Sequence, residues 1–379
     1  MVTLLSKEIK ARVRVPYALR RLPEASLASL LPSPKSPQLG DIVLTRLEQI
    51  GKNRRLELVN GRAATLHEGD LLAVVYGNRY ATHQFEGHAA ANGIFCDLLS
   101  MGGLCGLVQS KHATIAEPTK LRSLGAIGDA QGRPLRLRNF ALLPVSATSQ
   151  PRVIVVCGTS MDAGKTYTAM SLIVGLRRQG ERVAAIKLTG TVSGRDTWNL
   201  LDAGARPTLD FVDGGFPSTY LCSLDSLLQL YSLLLAHAAS KGAAFVVIEI
   251  ADGLLQEETA ALLQCPAFTT SVSAWLLATS DPLAASGGAD VFRDWGIEPL
   301  AISGLISMSP LGMREARAAT EIKCVTAEEL QRGELNDRLT AKSSVNKQQK
   351  QKRLEPNEKN NDSNNHCRDH CRGSYSRSS

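Results

Sequence analysis

The residues best suited to chemistry lie in the loop Gly158–Tyr167, where small residues surround a single lysine. The apolar run Arg152–Cys157 precedes this loop, and a helix-like run begins at Thr166. A glycine-rich loop between a strand and a helix directs backbone N–H groups and the positive end of the helix dipole at phosphates. Lys165 would then reach the β- and γ-phosphates, and the hydroxyl of Thr166 would bind Mg²⁺. The sequence therefore predicts a nucleotide site of the Walker A type.

The spacing of the glycines departs from the common pattern. That pattern places the first glycine five positions before Gly164, where Thr159 stands, whereas Gly158 is one position earlier. The strand before the loop and the helix after it still support nucleotide binding. The predicted nucleotide-binding residues are Gly158, Thr159, Asp162, Ala163, Gly164, Lys165, Thr166 and Tyr167.

A second group of polar residues follows the next strand-like run, Arg182–Leu188. Ligands of parallel sheets bind beyond the carboxyl ends of the strands, so Lys187 would project towards the phosphates and neutralise transferred charge. Thr191 and Ser193 could bind a substrate, and the carboxylate of Asp196 suits Mg²⁺. The alternative is that Lys187 only ends the strand and that Asp196 caps the following helix.

A third group follows the apolar run Phe245–Ile248. Glu249 stands at the end of this run, where a P-loop fold keeps a second Mg²⁺ ligand or a residue that positions water. Asp252 is a further candidate for substrate binding, or it only forms the turn. Two lists follow. The predicted catalytic residues are Lys165, Lys187 and Glu249, and the predicted metal ligands are Thr166, Asp196 and Glu249.

Strand-like and helix-like runs alternate through residues 150–335, which implies a parallel sheet covered by helices on both faces. The predicted fold class is therefore α/β, with a parallel-sheet P-loop NTPase domain in this range. The long segment Leu201–Tyr220 is a candidate lid over the site.

Three further regions are predicted. Residues 1–39 form an N-terminal segment whose closing prolines suggest a linker, and residues 40–148 form a smaller, mostly β domain whose turns suggest a barrel. In that domain the polar and aromatic stretch Gly77–Gly87 is expected to form an exposed hairpin edge; the alternative is that it lines a ligand surface. Residues 336–379 are rich in Asn, Lys, Gln and Ser and are predicted to be a disordered basic tail.

The composition narrows the classes of function. Of 379 residues 44% are apolar and 21% are charged, and no apolar run is long enough for a membrane span, so a cytoplasmic protein is expected. The net charge is +7, but residues 341–379 hold nine Lys or Arg and four Asp or Glu. The rest of the chain is nearly neutral, which argues against a nucleic-acid-binding surface.

The three groups together resemble dethiobiotin synthetase and related dimerising P-loop proteins of the SIMIBI type. That family has a leading glycine six places before the second, as Gly158 is before Gly164, then a strand-end Lys with a Ser/Thr four places later, as in Lys187 and Thr191. An Asp and a strand-end Glu follow, similar to Asp196 and Glu249. The resemblance covers residues 152–307; Leu188 replaces the family's proline, and the N-terminal β domain has no counterpart.

The resemblance implies a homodimer that uses ATP and Mg²⁺. Lys165 and Lys187 would stabilise phosphoryl transfer to a small carboxylate or amine, and Asp196 and Glu249 would hold the metal. A looser resemblance to accessory GTPases of molybdopterin-guanine-dinucleotide synthesis leaves GTP open, although the chain has no guanine-reading Asn-Lys-x-Asp motif. We therefore expect a ligase- or kinase-like enzyme with a small-molecule substrate; the alternative is a nucleotide-hydrolysing regulatory protein that acts on a protein partner.

Overall fold

The computed structural model describes residues 2–147 and 149–340, which are organised around two main β-sheets. The first sheet belongs to the N-terminal region. Its elements are β1 (Thr3–Leu4), α1 (Lys7–Arg12), β2 (Val13–Arg14), β3 (Ser29–Leu31), β4 (Ile42–Gln49), β5 (Arg55–Glu57), β6 (Ala63–Thr65), β7 (Leu71–Tyr76), β8 (Phe85–His88), β9 (Phe95–Leu98), β10 (Leu104–Lys111) and β11 (Thr119–Gly128).

The strands of this region close into a barrel. Strand β11 pairs with β4, β4 with β7, β7 with β10, β10 with β9, and β9 returns to β11. A closed ring of strands leaves no free edge within it. The predicted mostly β domain is therefore a small barrel, with β8 extending it beside β10.

Strand β7 shows why the barrel strands are apolar on both faces. Leu72, Val74 and Tyr76 pack in one buried cluster with residues of β4, β9 and β11. The alternate residues Ala73 and Val75 pack in a second cluster that includes residues of the C-terminal sheet. Because side chains alternate across a strand, one face of β7 fills the barrel and the other joins the two halves of the chain.

Residues 2–39 differ from the prediction of a separate segment and linker. Strand β3 pairs with β11, β1 pairs with β3, and β2 pairs with β7, so this segment extends the barrel sheet. The 3-10 turn Tyr17–Leu19 is fully buried. The prolines that suggested a linker lie after β3, where they lead into β4.

The second sheet is parallel throughout, as predicted, in the order β14-β13-β15-β12-β16-β17. Its elements and flanking helices are β12 (Arg152–Gly158), α2 (Lys165–Arg178), β13 (Val183–Lys187), α3 (Gly194–Asp202), β14 (Thr208–Asp210), α4 (Leu224–Ser240), β15 (Phe245–Glu249), α5 (Glu257–Gln264), α6 (Pro266–Thr269), β16 (Val272–Ala278), α7 (Pro282–Asp294), β17 (Ala301–Ser303), α8 (Pro310–Thr320), α9 (Ala327–Arg332) and α10 (Asn336–Thr340).

Both faces of the parallel sheet are covered. On β12, Val153 and Val155 belong to the cluster that also contains α4, α7 and barrel residues. Ile154 and Val156 belong to the cluster that contains α2 and α9. Because helices cover both faces of the sheet, successive residues of each strand are buried on opposite faces. The strands of this half are therefore continuous apolar runs in the sequence.

The C-terminal boundary of the described fold lies beyond the predicted one. Helix α10 places Asn336 and Leu339 in buried positions against the sheet, so residues 336–340 belong to the ordered fold rather than to the predicted tail. Residues 341–379, the rest of the predicted basic tail, lie outside the described residues. Within the described range, none of the helices has the length and apolar character needed to cross a bilayer.

The segment Leu201–Tyr220 is anchored rather than free to act as the lid that its length suggested. Within it, Asp210 and Asp213 are buried and form ion pairs of 2.7 and 2.8 Å with Arg20 of the N-terminal region. The hydroxyl of Tyr17 donates to Asp210 at 3.0 Å. This network ties the barrel region to the edge of the parallel sheet.

Candidate nucleotide-binding site

The predicted strand–loop–helix unit is present. Strand β12 ends at Gly158, and α2 begins at Lys165. Gly164, the residue before the helix, has φ +93°, which glycine adopts without a steric penalty. The first N–H groups of a helix have no partner within it, so they can bind an anion held by this loop.

Lys165, the first residue of α2, is only 7% exposed. Its ammonium group donates to the carbonyl oxygens of Ser160 and Asp252, at 2.7 Å each. Burial lowers the pKa of Lys165, while the nearby carboxylates of Glu249 and Asp252 oppose that shift. The lysine therefore links the glycine-rich loop to the turn that follows β15.

Strand register brings Lys187 and Glu249 together. They are direct partners at the carboxyl ends of β13 and β15, and their charged groups lie 3.6 Å apart. Lys187 also forms an ion pair with Asp196 in the first turn of α3. The hydroxyl of Thr166 donates to Oε1 of Glu249 at 3.1 Å. Two lysines and two carboxylates thus converge at one edge of the sheet, as expected for parallel strands.

This half of the chain has the fold of a P-loop NTPase domain. The parallel sheet, the loop between β12 and α2, and the converging strand ends decide that assignment. We call residues 150–335 the P-loop domain from here on.

The donor set around Glu249 fits Mg²⁺ bound with phosphates. Glu249 is 2% exposed, and its Oε2 atom has no hydrogen-bond partner among the described residues. Its other oxygen faces Thr166, and hydroxyl and carboxylate oxygens are the ligands that Mg²⁺ prefers. No cluster of three or more His, Cys, Asp or Glu side chains in the described range could hold a metal ion. Mg²⁺ at nucleotide sites needs only one or two protein carboxylates, because phosphates and waters complete its coordination.

Asp252 occupies a strained turn beside Lys165. Its φ is +63°, an unusual value for a residue with a side chain. Burial raises the pKa of Asp252 to about 6, although Lys165, Lys187 and Arg79 act in the opposite direction. The next residue, Gly253, passes so close to the loop that an added Cβ would lie 2.6 Å from the carbonyl oxygen of Thr159. The turn after β15 therefore packs directly on the phosphate-binding loop.

The remaining predicted loop residues differ in their exposure. Thr159 donates its N–H to the end of β16 at 3.1 Å, and its buried hydroxyl has no partner among the described residues. The carbonyl of Ala163 accepts from the segment after β17 at 3.1 Å. Asp162 is exposed with φ +63°, and Tyr167 is 53% exposed. The loop is thus fixed by its backbone, while Asp162 and Tyr167 face outwards.

The two residues proposed from sequence to bind substrate lie on the segment after β13. Thr191 pairs through its backbone with Ser218, and Ser193 precedes α3 without capping it through its side chain. Neither hydroxyl makes a hydrogen bond within the described range, so both are available to a ligand. The structure does not bring either residue into contact with Lys165.

Sequence reasoning missed two residues that the barrel brings to this site. The segment from residue 77 to residue 88, which we call the barrel hairpin, carries Arg79 and His83. The ring Nδ1 of His83 lies 3.0 Å from Oδ2 of Asp162 in the phosphate-binding loop. The polar, aromatic character of this stretch was the available signal, and of its two interpretations the structure favours a surface at the site.

Comparisons with known proteins do not assign a function to this site. No family model matches the chain, and no curated protein matches it. Among solved structures, the chain is similar to the signal recognition particle 54 kDa protein of Aeropyrum pernix K1 in complex with GDP, with 20% identity and a TM-score of 0.34. That match covers 55% of this chain and 50% of the other.

A second similar structure is the signal recognition particle receptor FtsY of Elizabethkingia anophelis, with 17% identity and a TM-score of 0.33. That match covers 52% of this chain and 66% of the other. The chain thus spans between half and two thirds of the length of these two structures. The fold assignment above rests on the sheet and the loop, not on these scores.

Proposed function

We propose that the protein is a Mg²⁺-dependent nucleoside triphosphatase that breaks the bond between the β- and γ-phosphates. One observation carries the proposal: the hydroxyl of Thr166, directly after Lys165 in the glycine-rich loop, lies 3.1 Å from Glu249, whose second oxygen is buried without a partner among the described residues. This combination gives an anion site and a hard cation site side by side.

Different residues of this chain would bind the phosphates, stabilise the developing charge and hold the metal ion. Backbone N–H groups of the loop and Lys165 would bind the β- and γ-phosphates, and Lys187 would stabilise the charge that develops on the transferred group. Thr166 and Glu249 would hold Mg²⁺, with Asp196 as a further ligand. When bound, Mg²⁺ neutralises phosphate charge and orients the phosphates.

ATP is the nucleotide we propose, because the chain lacks an Asn-Lys-x-Asp motif that would select guanine. GTP is the alternative. We also propose a cytoplasmic protein that acts as a homodimer, on the strength of its resemblance to dimerising P-loop proteins.

A second candidate function is transfer of the phosphoryl group to a small carboxylate or amine. Asp252 supports it, because a carboxyl group with a pKa of about 6 beside the phosphate-binding lysine can accept a proton from an attacking nucleophile near neutral pH. The hydroxyls of Thr191 and Ser193, which make no hydrogen bond to the described part of the chain, would then contribute to binding the acceptor.

The test uses the purified full-length chain with Mg·ATP or Mg·GTP, and it follows released phosphate and nucleoside diphosphate. Lys165→Ala is expected to abolish both binding and turnover. Lys241→Ala, at an exposed helix end, is the matched control and should behave as the native chain does. Turnover that survives in Lys165→Ala would contradict the proposal.

The same assay separates the two candidates. Release of inorganic phosphate without any added acceptor supports hydrolysis. Formation of nucleoside diphosphate that depends on one member of a panel of small carboxylates and amines supports transfer, provided that an equal amount of inorganic phosphate is not released.

A further inference from the structure

Arg79 of the barrel hairpin is a buried cation with unused hydrogen-bond donors. The residue is 8% exposed, and its Nη2 atom donates to Gln84 at 2.9 Å. Its Nε and Nη1 atoms are buried and have no partner among the described residues, and no ion pair is formed by its guanidinium in that range. The guanidinium carbon lies 5.8 Å from the centre of the Phe85 ring.

A guanidinium group buried in this way is unfavourable unless an anion balances it. Burial lowers the pKa of Arg79 to about 10, so the group stays protonated at neutral pH. Burying charges costs free energy unless they are paired, and Arg donors that recognise phosphate or carboxylate oxygens are a common solution. The residue therefore has the properties of a binding group rather than those of a packing group.

The position of the barrel hairpin places Arg79 near the phosphate-binding lysine. Arg79 and Asp252 shift each other's pKa, and burial raises the pKa of neighbouring Tyr80, with Asp252 and Glu258 adding to that shift. The backbone carbonyl of Asp252 accepts from Lys165 at 2.7 Å. The hairpin thus faces the turn that touches the phosphate-binding lysine.

Contacts at two further points fix the hairpin there. His83 meets Asp162 of the phosphate-binding loop at 3.0 Å. The Tyr80 ring packs on the Tyr220 ring at 5.5 Å, and the Tyr220 hydroxyl donates to Glu86 at 3.1 Å. These contacts, made by residues that follow Arg79 in the hairpin, hold the hairpin against the P-loop domain.

We propose that Arg79 binds an oxyanion of the ligand in the nucleotide site, so that the barrel and the P-loop domain together form one composite site. The oxyanion is a γ-phosphate oxygen or a phosphate oxygen of a second ligand. This inference rests on the proposed function for the identity of the neighbouring nucleotide. It gives the barrel a role that the P-loop domain alone does not supply.

The experiment compares native protein with Arg79→Met by calorimetric titration of Mg·ADP, of the non-hydrolysable β,γ-imido analogue of Mg·ATP, and of inorganic phosphate in the presence of Mg·ADP. If Arg79 binds the γ-phosphate, the variant loses about tenfold or more in affinity for the triphosphate analogue and keeps its affinity for Mg·ADP. If Arg79 binds a second ligand, both nucleotides bind as before and the affinity for inorganic phosphate falls instead.

Unchanged affinity for all three probes would overturn the inference. Arg122→Met, an exposed arginine on β11, is the matched control. If the native chain binds no nucleotide, the proposed function fails. Arg79 is then judged by inorganic phosphate alone, which should raise the unfolding temperature of the native chain but not that of Arg79→Met.

A second measurement separates binding from packing. Without ligand, Arg79→Met should be at least as resistant to urea as the native chain, because the substitution removes a buried unpaired charge and retains apolar volume. A variant that is markedly less stable would make Arg79 a structural residue and would overturn the inference.

Discussion

His83 of the barrel hairpin and Asp162 of the phosphate-binding loop lie 3.0 Å apart although 79 positions separate them in the sequence. Their side chains are 61% and 74% exposed, so water and salt screen the contact and it adds little to the free energy of unfolding. Its consequence is positional: it joins the barrel to the loop that would hold the phosphates. Loss of this contact should therefore affect ligand exchange more than folding.

The first prediction concerns this contact. His83→Ala should leave the unfolding temperature unchanged but should speed the dissociation of a fluorescent ADP derivative severalfold, because the hairpin is less firmly held over the site. Stopped-flow fluorescence measures the rate, with His67→Ala, exposed elsewhere on the barrel, as the control. An unchanged dissociation rate would show that the hairpin does not retain the nucleotide.

The second prediction concerns Glu249. Glu249→Gln should lower phosphate release by about a hundredfold or more, because an amide replaces the carboxylate that faces Thr166 and Lys187. Binding of nucleotide without Mg²⁺ should persist, since the loop and Lys165 are intact. Glu257→Gln, exposed at the start of α5, is the control. Native turnover in Glu249→Gln would remove this residue from the catalytic set.

The third prediction follows from the pKa of Asp252, which burial raises to about 6 from 3.8. The folded protein holds this proton more tightly than the unfolded chain, so the ionised group destabilises the fold fully above pH 6. The penalty shrinks as pH falls from 6 and is lost only below 3.8, where the unfolded chain is also protonated. The groups that face it are Lys165, Lys187, Glu258 and Arg79.

Asp252→Asn should therefore raise the free energy of unfolding by about 3 kcal/mol at pH 8 and by about half as much at pH 5. Urea denaturation at the two pH values measures the difference. Asp290→Asn on the surface of α7 should show no such dependence on pH. A gain in stability that is equal at both pH values would contradict the assignment of a raised pKa.

The P-loop domain could be predicted from local sequence because its signals are local. Each strand is a short apolar run; Lys187 and Glu249 each end such a run, and Lys165 begins the helix after the glycine-rich loop that follows β12. In a parallel sheet the carboxyl ends of strands share one edge, so the convergence of Lys187 and Glu249 follows from their positions alone. Their register in adjacent strands confirms that convergence.

The contribution of the barrel could not be predicted in the same way. Arg79 and His83 reach the site only because the barrel packs on the P-loop domain through the outer faces of β4 and β7. Both faces of β4 and β7 are apolar, so the alternation of side chains along these strands does not show which face packs on the parallel sheet. The stretch Gly77–Gly87 signalled a polar surface but not its partner.

The prediction that Leu201–Tyr220 forms a lid was wrong for a related reason. Asp210 and Asp213 have the composition of a solvent-exposed loop, and their cation, Arg20, precedes them by about 190 positions. No local rule pairs residues at that distance. The buried network that results yields the last prediction.

Arg20→Met should destabilise the fold by about 3–5 kcal/mol, because it leaves Asp210 and Asp213 buried without their cation. Burial raises the pKa of Asp213, the charge of Asp210 adds to that rise, and Arg20 opposes it. Without Arg20 the acid should therefore be protonated more readily, and the loss should be smaller at pH 5 than at pH 8.

Urea denaturation at both pH values measures the loss, with Arg12→Met on the exposed helix α1 as the control. Adding Asp213→Asn to Arg20→Met should restore part of the stability at pH 8, since it removes one of the two uncompensated charges. If the free energy of unfolding of Arg20→Met lies within about 1 kcal/mol of the native value, the network does not join the barrel to the P-loop domain in the way the geometry indicates.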